Sequence, residues 1–225
     1  MPRAYARVYA AVLTALFIQI TPILVAAQTT HEPSQFEPEI KAFEAADRTN
    51  PPPKDAILFV GSSTIRFWKT LAQDFPDLKV INRGFGGSHL SDSVAYADRI
   101  IIPYQPKTIV LYAGDNDLAA GKTPEQVFAD YQAFIQKIRA KLPETRIVYL
   151  SIKPSPSRWR LKDQIQATNR MISGLKGDRL TFIDTYSPML NPDGQPRAEL
   201  FQKDNLHMNA EGYKLWTSLI KPYLK

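Results

Sequence analysis

The sequence contains no cysteine. This absence excludes a disulfide framework, a thiolate nucleophile, a cysteine-ligated metal site and a lipidated cysteine. Stability must therefore come from packing and polar contacts alone. Histidine is also scarce, because the chain has only three, His31, His89 and His207. Any histidine chemistry is confined to those positions.

Dense blocks of charge of one sign are also missing. The formal net charge is +6, and two of the cations, Arg3 and Arg7, lie in an N-terminal segment without acidic residues. The other Lys and Arg residues are spread along the chain, so nothing resembles a basic nucleic-acid groove and we expect no nucleic-acid partner. A length of 225 residues, with 44% hydrophobic and 22% charged residues, fits one globular domain.

The N-terminal 27 residues have the pattern of a secretory signal peptide. Arg3 and Arg7 precede an apolar stretch from Val8 to Ile18, and the small residues Val25-Ala26-Ala27 precede Gln28. We therefore expect a secreted or periplasmic protein with no stable membrane span after cleavage of residues 1–27. Retention of this segment as an uncleaved anchor is the alternative.

Residues 28–53 are predicted to form an N-terminal arm with one short helix. Phe36, Ile40 and Phe43 are spaced by four and three residues, which places them on one helical face. The run Asn50-Pro51-Pro52-Pro53 ends that helix. The arm is expected to pack against a folded domain of residues 54–225.

Beyond the arm, short apolar runs alternate with amphipathic segments. Such alternation predicts an α/β fold, with a parallel sheet covered by helices on both faces. The first predicted strand begins at Ile57, and four more span Leu78–Asn82, Lys107–Tyr112, Arg146–Ser151 and Leu180–Asp184. Two predicted helices span Leu90–Ile102 and Leu161–Leu175. Two others begin at the capping box Thr123-Pro124-Glu125-Gln126 and at the cap Asn209.

The first strand ends at Gly61-Ser62-Ser63, directly before an amphipathic segment. The carboxyl edge of a parallel sheet is where such folds bind ligands. A serine at this place is a candidate nucleophile. A simple helix N-cap is the alternative for the same residue.

Further polar clusters follow the later strands. A glycine-rich loop, Arg83 to Ser88, allows close approach of a ligand to the backbone, and the third strand ends in Gly114-Asp115-Asn116-Asp117. His207 follows Asp204 by three residues, so a turn can place the carboxylate beside the imidazole, as a serine nucleophile's base requires. A capping Asp beside a surface His is the alternative.

Four blocks together resemble the SGNH, or GDSL-type, hydrolase family, and the resemblance runs from about Ile57 to the last helix. It implies a three-layer, flavodoxin-like sandwich with a five-stranded parallel sheet in the order 2-1-3-4-5. Ser62 stands where the family name implies Asp, which makes this a Gly-Ser-Ser variant. The matching blocks are Gly61-Ser62-Ser63, Asn82-Arg83-Gly84-Phe85-Gly86-Gly87, Gly114-Asp115-Asn116-Asp117 and Asp204-Asn205-Leu206-His207.

The resemblance also implies the roles of individual residues. Ser63 would be the nucleophile, His207 its base and Asp204 the residue that orients the imidazole. The backbone N–H groups of Ser63 and Gly87 and the side-chain amide of Asn116 would form the oxyanion hole. No metal or organic cofactor is required by this chemistry.

Three other residues are candidates for substrate binding, namely His89, Arg158 and Trp159. The predicted function is that of a secreted serine esterase that hydrolyses carboxylic acyl esters, with short acyl groups such as acetyl favoured. The expected substrate is a small-molecule or glycan ester. Alternatives are a carbohydrate O-acetyl esterase, a lysophospholipase or thioesterase, and a ligand-binding protein that keeps the fold without catalysis.

Overall fold

The N-terminal arm forms the predicted helix. A computed structural model describes residues 33–224; the predicted signal peptide 1–27 and His31 lie outside these residues. A 3-10 turn, Pro33–Phe36, leads into helix α1, Glu37–Thr49. Phe36 and Ile40 are buried in the core and Phe43 packs against it, which confirms the predicted apolar face.

The strands in the described part of the chain form one parallel sheet in the order β2-β1-β3-β4-β5. This confirms the predicted fold class and strand order. Gly61 pairs with both Gly84 and Tyr112, so three strands end at one edge of the sheet. The strands are β1 Ile57–Gly61, β2 Val80–Gly84, β3 Thr108–Tyr112, β4 Arg146–Leu150 and β5 Leu180–Ile183.

The side chains of the strands alternate between two cores, as the pleat of a strand requires. Leu58, Val60 and Ile109 belong to a core with α1 and the long central helices. Residues of opposite orientation, such as Phe59 and Val110, pack with Trp68 and the last helix. Because both faces are covered, β1 and β3 are buried throughout.

The remaining helices follow the strands in turn. Two of them begin as predicted: Thr123 Oγ1 accepts from Gln126 N, and Asn209 Oδ1 accepts from the N–H groups of Glu211 and Gly212. No helix within residues 33–224 is long and apolar enough to cross a membrane. The helices are α2 Ser63–Arg66, α3 Leu71–Asp74, α4 Leu90–Ala95, α5 Ala97–Ile100, α6 Asp115–Ala119, α7 Pro124–Arg139, α8 Lys162–Gly174 and α9 Ala210–Ile220.

Two predicted elements differ from the observed ones by more than a single residue at an end. The single helix expected over Leu90–Ile102 is divided at Tyr96 into α4 and α5. The ring of Tyr96 packs edge-on against Phe85 there, and α5 ends at Ile100, two residues before the predicted end. Strand β2 is Val80–Gly84 rather than the predicted Leu78–Asn82, because β1 pairs with it from Val80 to Gly84.

Candidate active site

Ser63 is the first residue of α2, just past the end of β1. The turn depends on Gly61, whose φ is +132° and where an added Cβ would lie 1.8 Å from the Tyr112 carbonyl oxygen. Glycine is therefore required for this close approach of strands β1 and β3. Ser62 N donates to the same carbonyl oxygen at 3.0 Å. Ser63 is thus held at the carboxyl edge of the sheet.

His207 and Asp204 meet Ser63 at this edge. The distance between His207 Nε2 and Ser63 Oγ is 3.0 Å, and that between His207 Nδ1 and Asp204 Oδ2 is 2.6 Å. The other carboxylate oxygen, Asp204 Oδ1, accepts from Leu206 N at 2.9 Å and His207 N at 3.0 Å. The structure therefore brings together the three residues predicted as nucleophile, base and orienting acid.

The Asp204 carboxylate is kept ionised by its neighbours. Desolvation acts to raise its pKa, but hydrogen bonds from the His207 ring and from the backbone N–H groups of Leu206 and His207 lower it to about 2. An ionised carboxylate holds the imidazole proton on Nδ1, which leaves Nε2 as an acceptor toward Ser63 Oγ. The arrangement can take a proton from Ser63 and stabilise the resulting imidazolium.

The loop that carries His207 is fixed on both sides. Gln202 N donates to the His207 carbonyl oxygen at 2.7 Å, and Asn209 Nδ2 donates to the Phe201 carbonyl oxygen at 3.0 Å. The ring of Phe67 meets the imidazole edge-on, with centroids 4.8 Å apart. These contacts limit the movement of the imidazole relative to Ser63.

The glycine-rich loop begins beside the Ser63 turn, since Phe85 N donates to the Gly61 carbonyl oxygen at 2.9 Å. Gly87 has a φ of +76°, and no atom of the described residues lies within 4 Å of a Cβ built on it. Asn116 Nδ2 donates to the carbonyl oxygen of Ser88 at 3.0 Å. The predicted oxyanion donors on the two loops therefore lie side by side at an open edge.

On the buried side of the site, Asp117 links α6 to the first residue of α4. Its fully buried carboxylate accepts from Leu90 N at 3.2 Å and from Lys122 Nζ at 2.9 Å. Burial raises its pKa from the ordinary value of 3.8 to about 6, although Lys122 acts in the opposite direction. Asp117 thus braces the start of α4, just after the glycine-rich loop, through acceptor contacts of its carboxylate.

A buried cation that sequence reasoning did not single out lies beneath the site. Lys153 follows β4 by three residues and is 1% exposed. Its Nζ donates to Thr64 Oγ1, Tyr112 Oη and Asp115 Oδ2, each at 3.1 Å. The sequence feature that could have indicated Lys153 is its position shortly after an apolar strand, which ends at the same edge of the sheet as the strand before Ser63.

The residues predicted to bind substrate are placed as follows. His89 is 5% exposed, and its backbone N–H donates to Asp92 Oδ2 at 2.7 Å. Arg158 Nη2 donates to Asn116 Oδ1 at 2.8 Å. Trp159 packs against the core, with Lys162 Nζ 5.7 Å from its ring centroid. Their contact with substrate stays a prediction.

Within the described range, no group of three or more His, Asp or Glu side chains is placed to hold a metal ion. The described arrangement instead has the groups of acyl transfer: a hydroxyl, a base, a carboxylate and convergent N–H donors. These groups come from four loops at one edge of the sheet.

Comparisons with known proteins concern the family and the fold. Residues 55–215 match the family model of the GDSL-like lipase/acylhydrolase family. Human platelet-activating factor acetylhydrolase IB subunit alpha1 is 26% identical over 169 residues, covering 70% of each chain. A GDSL-like lipase from Bacteroides thetaiotaomicron has a TM-score of 0.70 at 22% identity, over 82% of this chain and 96% of that chain. An acetyl-xylooligosaccharide esterase from Geobacillus has a TM-score of 0.58 at 13% identity, over 76% and 94% of the chains.

Proposed function

Because the chain belongs to the GDSL-like lipase/acylhydrolase family, we propose that it is a secreted serine esterase that hydrolyses short acyl esters, acetyl esters above all. The observation that carries the proposal is the hydrogen-bonded chain from Ser63 Oγ through the His207 imidazole to Asp204. The preference for acetyl is supported by the similarity to the human acetylhydrolase subunit.

The proposed reaction proceeds through an acyl-enzyme. Ser63 Oγ attacks the ester carbonyl while His207 Nε2 takes its proton, and Asp204 stabilises the imidazolium. The oxyanion accepts hydrogen bonds from the N–H groups of Ser63 and Gly87 and from the Asn116 amide. His207 then protonates the leaving alcohol. Water, activated by the same imidazole, releases the carboxylic acid and restores Ser63.

The alcohol part and the acyl chain length of the preferred substrate distinguish the alternatives. A carbohydrate O-acetyl esterase would release acetate from acetylated oligosaccharides. A lysophospholipase or thioesterase would instead prefer long acyl chains. A series of p-nitrophenyl esters from acetyl to palmitoyl, run beside acetylated xylo-oligosaccharides and lysophosphatidylcholine, separates these classes. Fastest turnover of long-chain esters would contradict the proposed acetyl preference.

Labelling with a fluorophosphonate tests the nucleophile directly. We expect covalent modification of Ser63, which peptide mass spectrometry locates. Ser63→Ala should abolish both labelling and turnover of p-nitrophenyl acetate, with an unchanged circular dichroism spectrum. Ser62→Ala is the matched control, because that hydroxyl is buried and accepts or donates no hydrogen bond among the described residues. Failure of the folded wild-type protein to react would favour the non-catalytic ligand-binding alternative.

Secretion is tested by the mass of the exported protein. The proposed signal peptide comprises residues 1–27, so the mature chain should begin at Gln28. Intact mass spectrometry of protein exported from a bacterial host measures this. A full-length mass in the membrane fraction would indicate a retained anchor instead.

A further inference from the structure

The proposed oxyanion hole is backed by a buried group of charges, Lys153, Asp115 and Arg158. The carboxylate of Asp115 is 4% exposed and lies 3.1 Å from Lys153 Nζ and 2.9 Å from Arg158 Nη1. Two basic side chains thus share one carboxylate in the interior.

Lys153 has the surroundings of a charged ammonium group. Its three N–H donors are matched by three acceptors, the hydroxyls of Thr64 and Tyr112 and the carboxylate of Asp115. Burial lowers the pKa of Lys153 more than Asp115 raises it. Burial also acts to raise the pKa of Asp115, but Lys153 and Arg158 outweigh it and hold that pKa below its usual value. Asp115 is therefore an ionised partner for both cations.

Arg158 links these charges to the Asn116 amide. A carboxamide has two ends of nearly equal size, one a donor and the other an acceptor. Arg158 has donors only, and its Nη2 lies 2.8 Å from Asn116 Oδ1. The contact therefore turns Nδ2 toward the glycine-rich loop, where it meets the carbonyl oxygen of Ser88 at 3.0 Å. Among the described residues the acceptor for Nδ2 is the Ser88 carbonyl oxygen, so the second hydrogen of Nδ2 can face a ligand oxyanion.

We propose that Arg158, held by Asp115 and Lys153, is a positioning residue that fixes the Asn116 NH₂ toward the oxyanion and strengthens it as a donor. A flipped amide would turn its oxygen toward the developing negative charge. A cationic donor on Oδ1 also withdraws electron density from the amide, which makes its N–H groups more acidic. The inference rests on the proposed function, because it assigns Arg158 a part in that reaction.

Arg158→Ala should lower kcat for p-nitrophenyl acetate by about 10- to 100-fold, because the donor is misplaced. KM should change little, since an oxyanion hole binds the transition state more strongly than the ester. Arg160→Ala is the matched control: this arginine is exposed on the same loop and its removal should leave kcat unchanged. A wild-type kcat for Arg158→Ala would overturn the inference.

A double-mutant cycle separates positioning from a general structural effect. Asn116→Ala should cost about 100- to 1000-fold in kcat. Because Arg158 is inferred to act through Asn116, adding Arg158→Ala to that variant should cost nothing further. Additive losses would overturn the inference even if the single variant is slow. Should Arg158→Ala not fold, the same cycle is run with Arg158→Lys, which retains a cation for Asp115.

Fluorophosphonate labelling distinguishes failure of the positioning role from failure of the proposed function. If wild-type Ser63 reacts and turns over ester, while the cycle is additive, the proposed function stands and the positioning role falls. If folded wild-type protein neither reacts nor turns over any ester of the series, both fall together.

Discussion

The Asp204 carboxylate takes part in an Asx turn as well as in the contact with His207. Its Oδ1 accepts from the backbone N–H groups two and three residues ahead, which frees Oδ2 for His207 Nδ1. Asp184 makes the same turn, with its Oδ1 accepting from Tyr186 N and Ser187 N. The two carboxylates make the same hydrogen bonds with backbone N–H groups. They differ because only Asp204 also contacts an imidazole, that of His207. This pair provides an internal comparison.

Asp204→Asn should lower kcat by about 10⁴-fold with the fold intact, because an amide no longer enforces the required imidazole tautomer. Steady-state turnover of p-nitrophenyl acetate measures the effect. Asp184→Asn changes the same turn without touching the imidazole, and we expect it to retain the wild-type kcat. An Asp204→Asn enzyme within tenfold of wild type would contradict the assigned role.

Single residues were predictable where short motifs determine them. The Asp204 and His207 pair lies three residues apart before a helix cap, and the structure joins both to Ser63. Lys153 was not predictable in the same way, because a lysine behind a strand is usually solvated. Its burial depends on Asp115 and Tyr112, which only the folded sheet brings near it.

At the level of elements, helix caps serve both stability and the candidate site. Thr123 caps α7 far from the catalytic loop along the chain, and it is exposed. Asn209 caps α9, and its Nδ2 also donates to the carbonyl oxygens of Glu199 and Phe201. The second cap therefore ties the loop that carries His207 to the helix behind it.

Thr123→Ala and Asn209→Ala should each lower the free energy of unfolding by about 0.5–2 kcal/mol through loss of a cap. Only Asn209→Ala should also lower kcat, because it releases the loop beside His207. Urea unfolding and steady-state kinetics on the same preparations test both statements. Equal kcat values for the two variants would contradict the link between this cap and the site.

Helix starts were predicted correctly where residues close together in the sequence determine them. The Thr123 capping box and the Asn209 cap were confirmed. The division of the predicted Leu90–Ile102 helix at Tyr96 was missed, because it accompanies the packing of Tyr96 on Phe85, a residue outside the helix. Side-chain packing between elements overrides helical periodicity there.

On the scale of the whole molecule, stability should depend on pH through Asp117. Its pKa is raised by burial to about 6 from an ordinary 3.8, so the folded protein binds more protons than the unfolded chain between these values. The stabilisation from this group is fully present below about pH 4 and is lost as the pH rises through 6. The shift corresponds to about 3 kcal/mol.

Asp117→Asn should remove this decrease, because an amide does not ionise. The measurement is urea unfolding of wild type and variant at pH 4, 5, 6 and 7, with the difference in unfolding free energy plotted against pH. Asp98→Asn, at an exposed ion pair with Lys137, is a control that should keep the wild-type dependence. Parallel wild-type and Asp117→Asn curves would contradict the prediction.

The architecture could be predicted only in part from pattern. Alternating strands and helices imply a parallel sheet, but they leave many strand orders open. The order 2-1-3-4-5 came from the resemblance of four motifs to a family, and the pairing of β1 with both β2 and β3 confirms it. Strand adjacency is a property of the assembled sheet, which no single segment encodes.

The hydrogen bond between Ser63 and His207 joins residues 144 positions apart. A growing chain therefore carries the Ser63 hydroxyl long before His207 is added, and the proposed catalytic pair cannot form until the loop before α9 lies beside Ser63. Contacts between residues far apart in sequence slow folding, because the entropy of loop closure must be overcome before they form. Regained turnover of an ester during refolding would therefore report the formation of this contact, while ellipticity would report the formation of the helices.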